Sequence, residues 1–321
     1  MHELKTVATI ILAAVFVLRT ASAIREPRSR LSWLASGVGT LALLTLGTVI
    51  PQRTIDGWLG GENWINLAQN VLCTVAFWLV TQAAISQDGQ RRRLRWWPLV
   101  LALIAFIIPF LFITERGATD SSFIPHHTGQ TAMWLYASIY MATIAAISFE
   151  LLRGVATRPA RAYWFFRVGA ALVILASVDE IVYLTLARFQ MASLAVILLL
   201  NKAFDPFFYI GVILIVVGIA SFTAARSVRA LRLQVKLFLL GRILARRGLQ
   251  SPRSVPSTDT LGRVYDHVIT IRDLETMDEI TLSRTEVMLV DGSERLVASS
   301  LHNAPRESMV ESLTITNGAP A

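Results

Sequence analysis

The sequence predicts an all-α fold: a polytopic bundle of seven transmembrane helices followed by a small, mainly helical cytoplasmic tail. Three observations carry that expectation. Hydrophobic residues make up 54% of the chain against 16% charged, and the mean hydropathy is +0.54. The apolar residues are gathered into runs of about 20, the length that crosses a hydrocarbon core of about 30 Å at about 1.5 Å per residue. Basic residues concentrate in alternate connections between those runs.

The first run lies in LKTVATIILAAVFVLRTASAI, whose end looks like a signal-peptide cleavage site. Lys5 is the only basic residue before it, and Arg19 falls near its far end, so a retained crossing is expected. Six more runs follow at 31–50, 64–85, 96–114, 131–152, 163–187 and 204–225. Connections REPRSR, QRRRLR and RGVATRPAR carry three, four and three basic residues, whereas the opposite connections hold only Arg53, Arg116, Arg188 and Lys202. The positive-inside rule therefore places the N terminus outside and the C terminus in the cytoplasm of a multi-pass protein of the inner or plasma membrane. Trp64, Trp96, Trp97, Trp134 and Trp164 stand near the run ends, where an indole keeps its ring in the interface and its N–H hydrated.

The segment RFQMASLAVILLLNKAFDPFF separates the sixth and seventh runs. MASLAVILLL is too short to cross alone and too apolar for water, so it reads as an interfacial helix, a re-entrant segment or an extension of a neighbouring helix. Pro206 marks a break or kink. Beyond the transmembrane domain, 1–225, residues 226–250 read as a basic juxtamembrane amphipathic helix and 251–260 as a Ser- and Pro-rich linker. Residues 261–321 read as a small cytoplasmic helical region with a partly disordered end, Leu261, Val264, Val268 and Ile271 forming one helical stripe.

Several function classes lack their signatures. The chain has no Walker loop, no GxGxxG, no HExxH and no CxxC, so no catalytic residues, cofactor or nucleic acid are expected and the chain reads as a non-enzyme. Its single cysteine, Cys73, sits in an apolar run and reads as a small buried hydrophobe. The glycines of GWLGG, 57–61, read as an outer turn. His126 and His127 are adjacent imidazoles in an outer connection, suited to a metal ion or to pH sensing, but adjacency assigns no third ligand and the metal stays open.

The candidate site begins with Asp179 and Glu180, side by side inside the sixth run. Counting from Trp164 at the inner entrance, Asp179 is about 22 Å along the helix axis, in the outer half of the membrane. Tyr183, one turn on, shares its face. Asn66, Gln69 and Asn70 at the outer end of the third run, and Asp205 at the start of the seventh, belong to the same outer layer. An isolated charge in hydrocarbon is costly, so these groups need partners. They build either a pocket for an ion, a proton or a small solute, with Arg188 and Lys202 as available counter-charges, or a polar clamp joining helices. On the inner side Arg153, Arg158, Arg161, Arg226, Arg229 and Arg232 are expected to meet lipid phosphates, their aliphatic stems lying in apolar surroundings.

The stretch NLAQNVLCTVAFWLVTQ at 66–82, the seven-run layout and LGRVYDHVITIRD at 261–273 resemble a group of actinobacterial seven-helix membrane proteins described as transporters, whose cytoplasmic region is a domain of unknown function. Asn66 and RVYDHVITIRD are the best-matching positions. The resemblance implies a transporter, coupled to a cation or proton, of unknown substrate. The rival expectation is a sensor or scaffold that passes an outer or lipid signal through the tail to a cytoplasmic protein partner, or acts as a homo-oligomer.

Overall fold

A computed structural model describes residues 2–25, 30–86, 95–114, 116–119, 123–158, 162–249 and 260–302. The described residues hold helices and turns and no strand. The chain divides into two compact units, Met1–Thr223 and Ala224–Ala321.

In the first unit α1, His2–Arg25, packs on α2, Arg30–Leu43, partly through Phe16 stacked on Trp33 at 5.1 Å. A π-helical turn, Leu44–Thr48, then bends the chain at Gly47, whose φ of 81° is one that L side chains rarely adopt. The short α3, Gln52–Leu59, leaves at 105° to the preceding helix. Next come α4, Trp64–Ile85, α5, Trp97–Leu111, a single turn α6, Phe123–His126, and α7, Thr131–Val155. The sixth run is α8, Ala162–Phe189, and the seventh belongs to α9, Leu194–Arg246. The main packing partners are α7 with α8, α2 with α4, and α4 and α5 with α7. Phe106, Phe110, Tyr136, Ile144, Leu151 and Phe166 form the centre of the core, each shielded completely.

All seven apolar runs fall on helices. By length and composition four of them, Trp64–Ile85, Thr131–Val155, Tyr163–Phe189 and Leu194–Arg246, can cross a membrane, and five if the bent pair through α2 and α3 counts as one span. The apolar stretches Thr6–Thr20 and Trp97–Leu111 are shorter. At 15 residues, Trp97–Leu111 rises about 22 Å, less than the hydrocarbon thickness.

MASLAVILLL resolves into one of its three readings: from Leu194 onward it is the first part of α9, which continues through Pro206 without a break in helix. After a short connection, α8 and α9 run back along each other, because Phe166 meets Gly218, Val173 meets Gly211 and Tyr163 meets Phe222. Gly169 and Gly211 let the two backbones touch: a Cβ on Gly169 would lie 2.7 Å from the Gly211 carbonyl oxygen.

The second unit has its own apolar centre, formed by Leu240, Ile243 and Leu244 of α9, Val264, Val268 and Ile271 of α10, Thr260–Thr276, and Val290 and Val297 of α11, Arg284–His302. Three stripe positions expected to face inward, Val264, Val268 and Ile271, are buried. Arg272 ties α10 to α11 by reaching Asp291 at 2.5 Å and Glu294 at 2.7 Å. The linker residues 251–259 and the end expected to be disordered, 303–321, lie outside the described residues.

A capping box starts α11. Glu286 accepts the Ser283 backbone N–H at 2.9 Å and its hydroxyl at 3.0 Å, and pairs with Arg247 at 3.1 Å. The Ser283 N–H bond holds the Glu286 carboxyl below its ordinary 4.5. A depressed folded-state value stabilises the fold above the unfolded pKa, and that contribution is lost as pH falls through the folded one. We therefore expect hydrogen-exchange protection of α11 in the full chain, corrected for intrinsic rate, to decline as pH drops below 4.5, and to do so less in Glu286→Gln. At neutral pH Glu286→Ala should cost α11 about 1 kcal/mol of protection; unchanged protection would contradict the cap.

Candidate functional site

The polar residues of α4 recur at helical spacing along one line, Asn66, Asn70 and Thr74, so they share a face. That face meets Tyr136 of α7. The Tyr136 hydroxyl donates to Asn66 Oδ1 at 2.8 Å and accepts from Asn70 Nδ2 at 2.7 Å. Thr74 turns back to the Asn70 carbonyl at 2.7 Å. Gln69 points elsewhere and donates to the Thr45 carbonyl in the π-turn. These three predicted site residues therefore have protein partners, and their arrangement fastens α4 to α7 and to the bend after α2.

The acids behave differently. Counting back ten residues from the end of α8 gives Asp179, and counting eleven from the start of α9 gives Asp205. Antiparallel helices therefore bring them to one level, about 15 Å from the connection. Glu180 is buried, only 7% exposed, and lies within electrostatic reach of both Asp179 and Asp205. Tyr183, also buried, interacts with Glu180. Asp179 Oδ2 is shielded and has no hydrogen-bond partner among the described residues. Of the anticipated counter-charges, Arg188 is engaged elsewhere. Arg188 donates instead to the Gly129 carbonyl and to Thr131 Oγ1, and neither Asp179 nor Glu180 forms an ion pair among the described residues.

Buried polar side chains link the two groups. Tyr140, one turn after Tyr136 on α7, is hydrogen-bonded to the Cys73 thiol, and both interact electrostatically with Tyr209 of α9. Tyr209 in turn interacts with Asp205, one turn earlier. Sequence reasoning passed over Tyr136, Tyr140 and Tyr209 and took Cys73 for a plain hydrophobe. Their signal was the four-residue spacing of Tyr136 with Tyr140 and Asp205 with Tyr209, which puts each pair on one helix face. A small apolar crevice of about 70 Å³ borders this path at Cys73 and Tyr209 and is otherwise walled by residues such as Leu12, Gly39, Phe77 and Val216.

A second polar cluster was also missed. Asp56 of α3, 0% exposed, accepts the backbone N–H of Ile65 at 2.7 Å and of Asn63 at 2.8 Å, and the Thr119 hydroxyl at 2.6 Å. It satisfies donors at the start of α4, where the helix dipole favours a negative charge. Asn63 extends the cluster through Nδ2 to the Arg116 carbonyl at 2.6 Å, while the Arg116 guanidinium covers the Trp64 ring at 4.7 Å.

Of the expected lipid-binding arginines, Arg158 is turned inward. It donates to the Ala84 carbonyl at 2.9 Å and the Ile85 carbonyl at 2.7 Å, closing the end of α4, and to the Tyr163 hydroxyl at 2.8 Å. Arg153 is largely exposed and lies 3.9 Å from Glu150. Arg229 and Arg232 are exposed on α9. Arg161 and the Arg226 side chain lie outside the described residues, as does the His126 side chain. His127 uses Nδ1 toward the Phe123 carbonyl at 2.8 Å. Among the described residues no three His, Cys, Asp or Glu side chains are arranged to hold a metal ion.

No protein-family model, curated protein or solved structure is significantly similar to this chain. The structure supports a helical, multi-spanning membrane protein with a helical C-terminal region, and no comparison ties the chain to the actinobacterial seven-helix proteins.

Proposed function

We propose that this polytopic membrane protein is a proton-coupled transporter of a small solute, with Asp179, Glu180 and Asp205 as the groups that exchange protons. The observation that carries this reading is the acid cluster on α8 and α9, with a buried Glu180 and an unpartnered Asp179 oxygen, without an ion pair for Asp179 or Glu180 among the described residues. Carboxylates this close in an apolar layer require a counter-charge or a proton. The tyrosines and Cys73 extend the polar path toward the apolar crevice. Asn66, Asn70 and Gln69 act here as helix clamps and hold the geometry. The membrane lipids remain partners through exposed Arg153, Arg229 and Arg232.

Asp179→Asn, Glu180→Gln and Asp205→Asn keep nearly the same volume while removing the ionisable group. In reconstituted vesicles at least one should abolish pH-gradient-driven uptake in a solute screen while leaving folding intact. Uptake at the native rate in all three would overturn the assignment. A sensor is the second reading, favoured by one observation: α9 is a single helix from Asp205 to Arg246, a part of the second unit's core. For a sensor the same variants would alter ligand-dependent protection of α10 and α11 with no flux to lose.

A further inference from the structure

The part of α9 that follows the apolar run carries two apolar faces. Leu233, Leu237, Leu240 and Leu244 point into the centre formed with α10 and α11. On nearly the opposite side stand Val228, Leu231, Val235 and Phe238, which are 47%, 60%, 48% and 68% exposed. Their spacing is three, four, three, the heptad seam rather than the wider stripe of a helix buried in a globular core. We propose that this face is the contact with a second copy of the chain, a parallel two-helix seam over residues 228–238.

Four features choose that occupant. The seam has Val at both a positions and Leu at the first d position, the combination that favours two parallel strands. Two copies held in one membrane share their orientation, so parallel pairing is the geometry available to them. In that register Ser227 faces Arg232 of the second copy and Gln234 faces its Leu239, so no like charges oppose each other across the seam. The helix is already held by its packing on α10 and α11, so pairing need not nucleate it, which makes a seam of two a and two d positions sufficient.

The test uses the full chain in vesicles of phosphatidylcholine and phosphatidylglycerol, in a Cys73→Ser background. Under mild oxidation Leu231→Cys should form a covalent dimer about tenfold faster than Ala230→Cys, which is exposed but off the seam. The paired change Leu231→Glu with Val235→Glu should lose energy transfer between labelled copies while keeping native hydrogen-exchange protection in α10 and α11, since both side chains are exposed. Equal oxidation rates at 230 and 231, energy transfer unchanged in the charged variant, or crosslinking of position 231 to a photoreactive lipid without protein dimer would each overturn the seam.

Discussion

Asp56→Ala is expected to destabilise the membrane unit by on the order of 3 kcal/mol. The side chain is fully shielded and accepts three hydrogen bonds, two from the backbone at the start of α4 and one from Thr119. Truncation leaves all three donors without their acceptor, and a stranded buried donor costs more than the bond itself contributed. It also removes a negative charge from a helix N terminus. Thr119→Val removes only one donor and should cost about 1 kcal/mol. Unfolding in mixed detergent by sodium dodecyl sulfate titration measures both, and an Asp56→Ala transition at the native midpoint would contradict the cap.

Gly211→Ala and Gly169→Ala should each cost about 1–3 kcal/mol, because the added methyl meets backbone that cannot rotate away. At Gly211 a Cβ would stand 2.9 Å from the Gly169 carbonyl oxygen, and at Gly169 2.7 Å from the Gly211 carbonyl oxygen. Once one methyl has pushed the helices apart the second meets less resistance, so the double variant should cost clearly less than the two added together. Gly218→Ala is the comparison: its Cβ would meet the Phe166 ring at 2.7 Å, a side chain that can shift. The same titration reads all four variants. Additive losses would mean that the glycines do not oppose one another. Gly211 is less than two turns from Asp205, so this contact also sets how closely the acids of α8 and α9 approach.

Apolar runs in the sequence placed the helices because periodicity and length are local properties, and they located Asp179 and Glu180 by counting along one helix. The bend at Gly47 was not legible, since a lone glycine in an apolar run also fits a straight helix. Nor was Asp56, which reaches the start of α4 from a different helix, eight residues before Trp64, instead of standing at the usual cap position. Arg158 carried the composition of a lipid contact, but the carbonyls at the end of α4, more than seventy residues earlier, claim its guanidinium. Tyr136 joins Asn66 and Asn70 across a similar separation. Such pairings depend on which helices become neighbours. The level shared by Asp179 and Asp205 is the exception: a short connection between two long helices fixes it once α9 is known to start at Leu194.

The central claim is that the acids of α8 and α9 exchange protons during transport. Vesicles holding a trapped pH indicator and the purified chain measure this directly, with an imposed membrane potential and a panel of small solutes added outside. The native protein should move protons with at least one solute, and the Asp179→Asn, Glu180→Gln, Asp205→Asn triple variant should be silent while retaining native unfolding behaviour. Proton movement at the native rate in that triple variant would contradict the account.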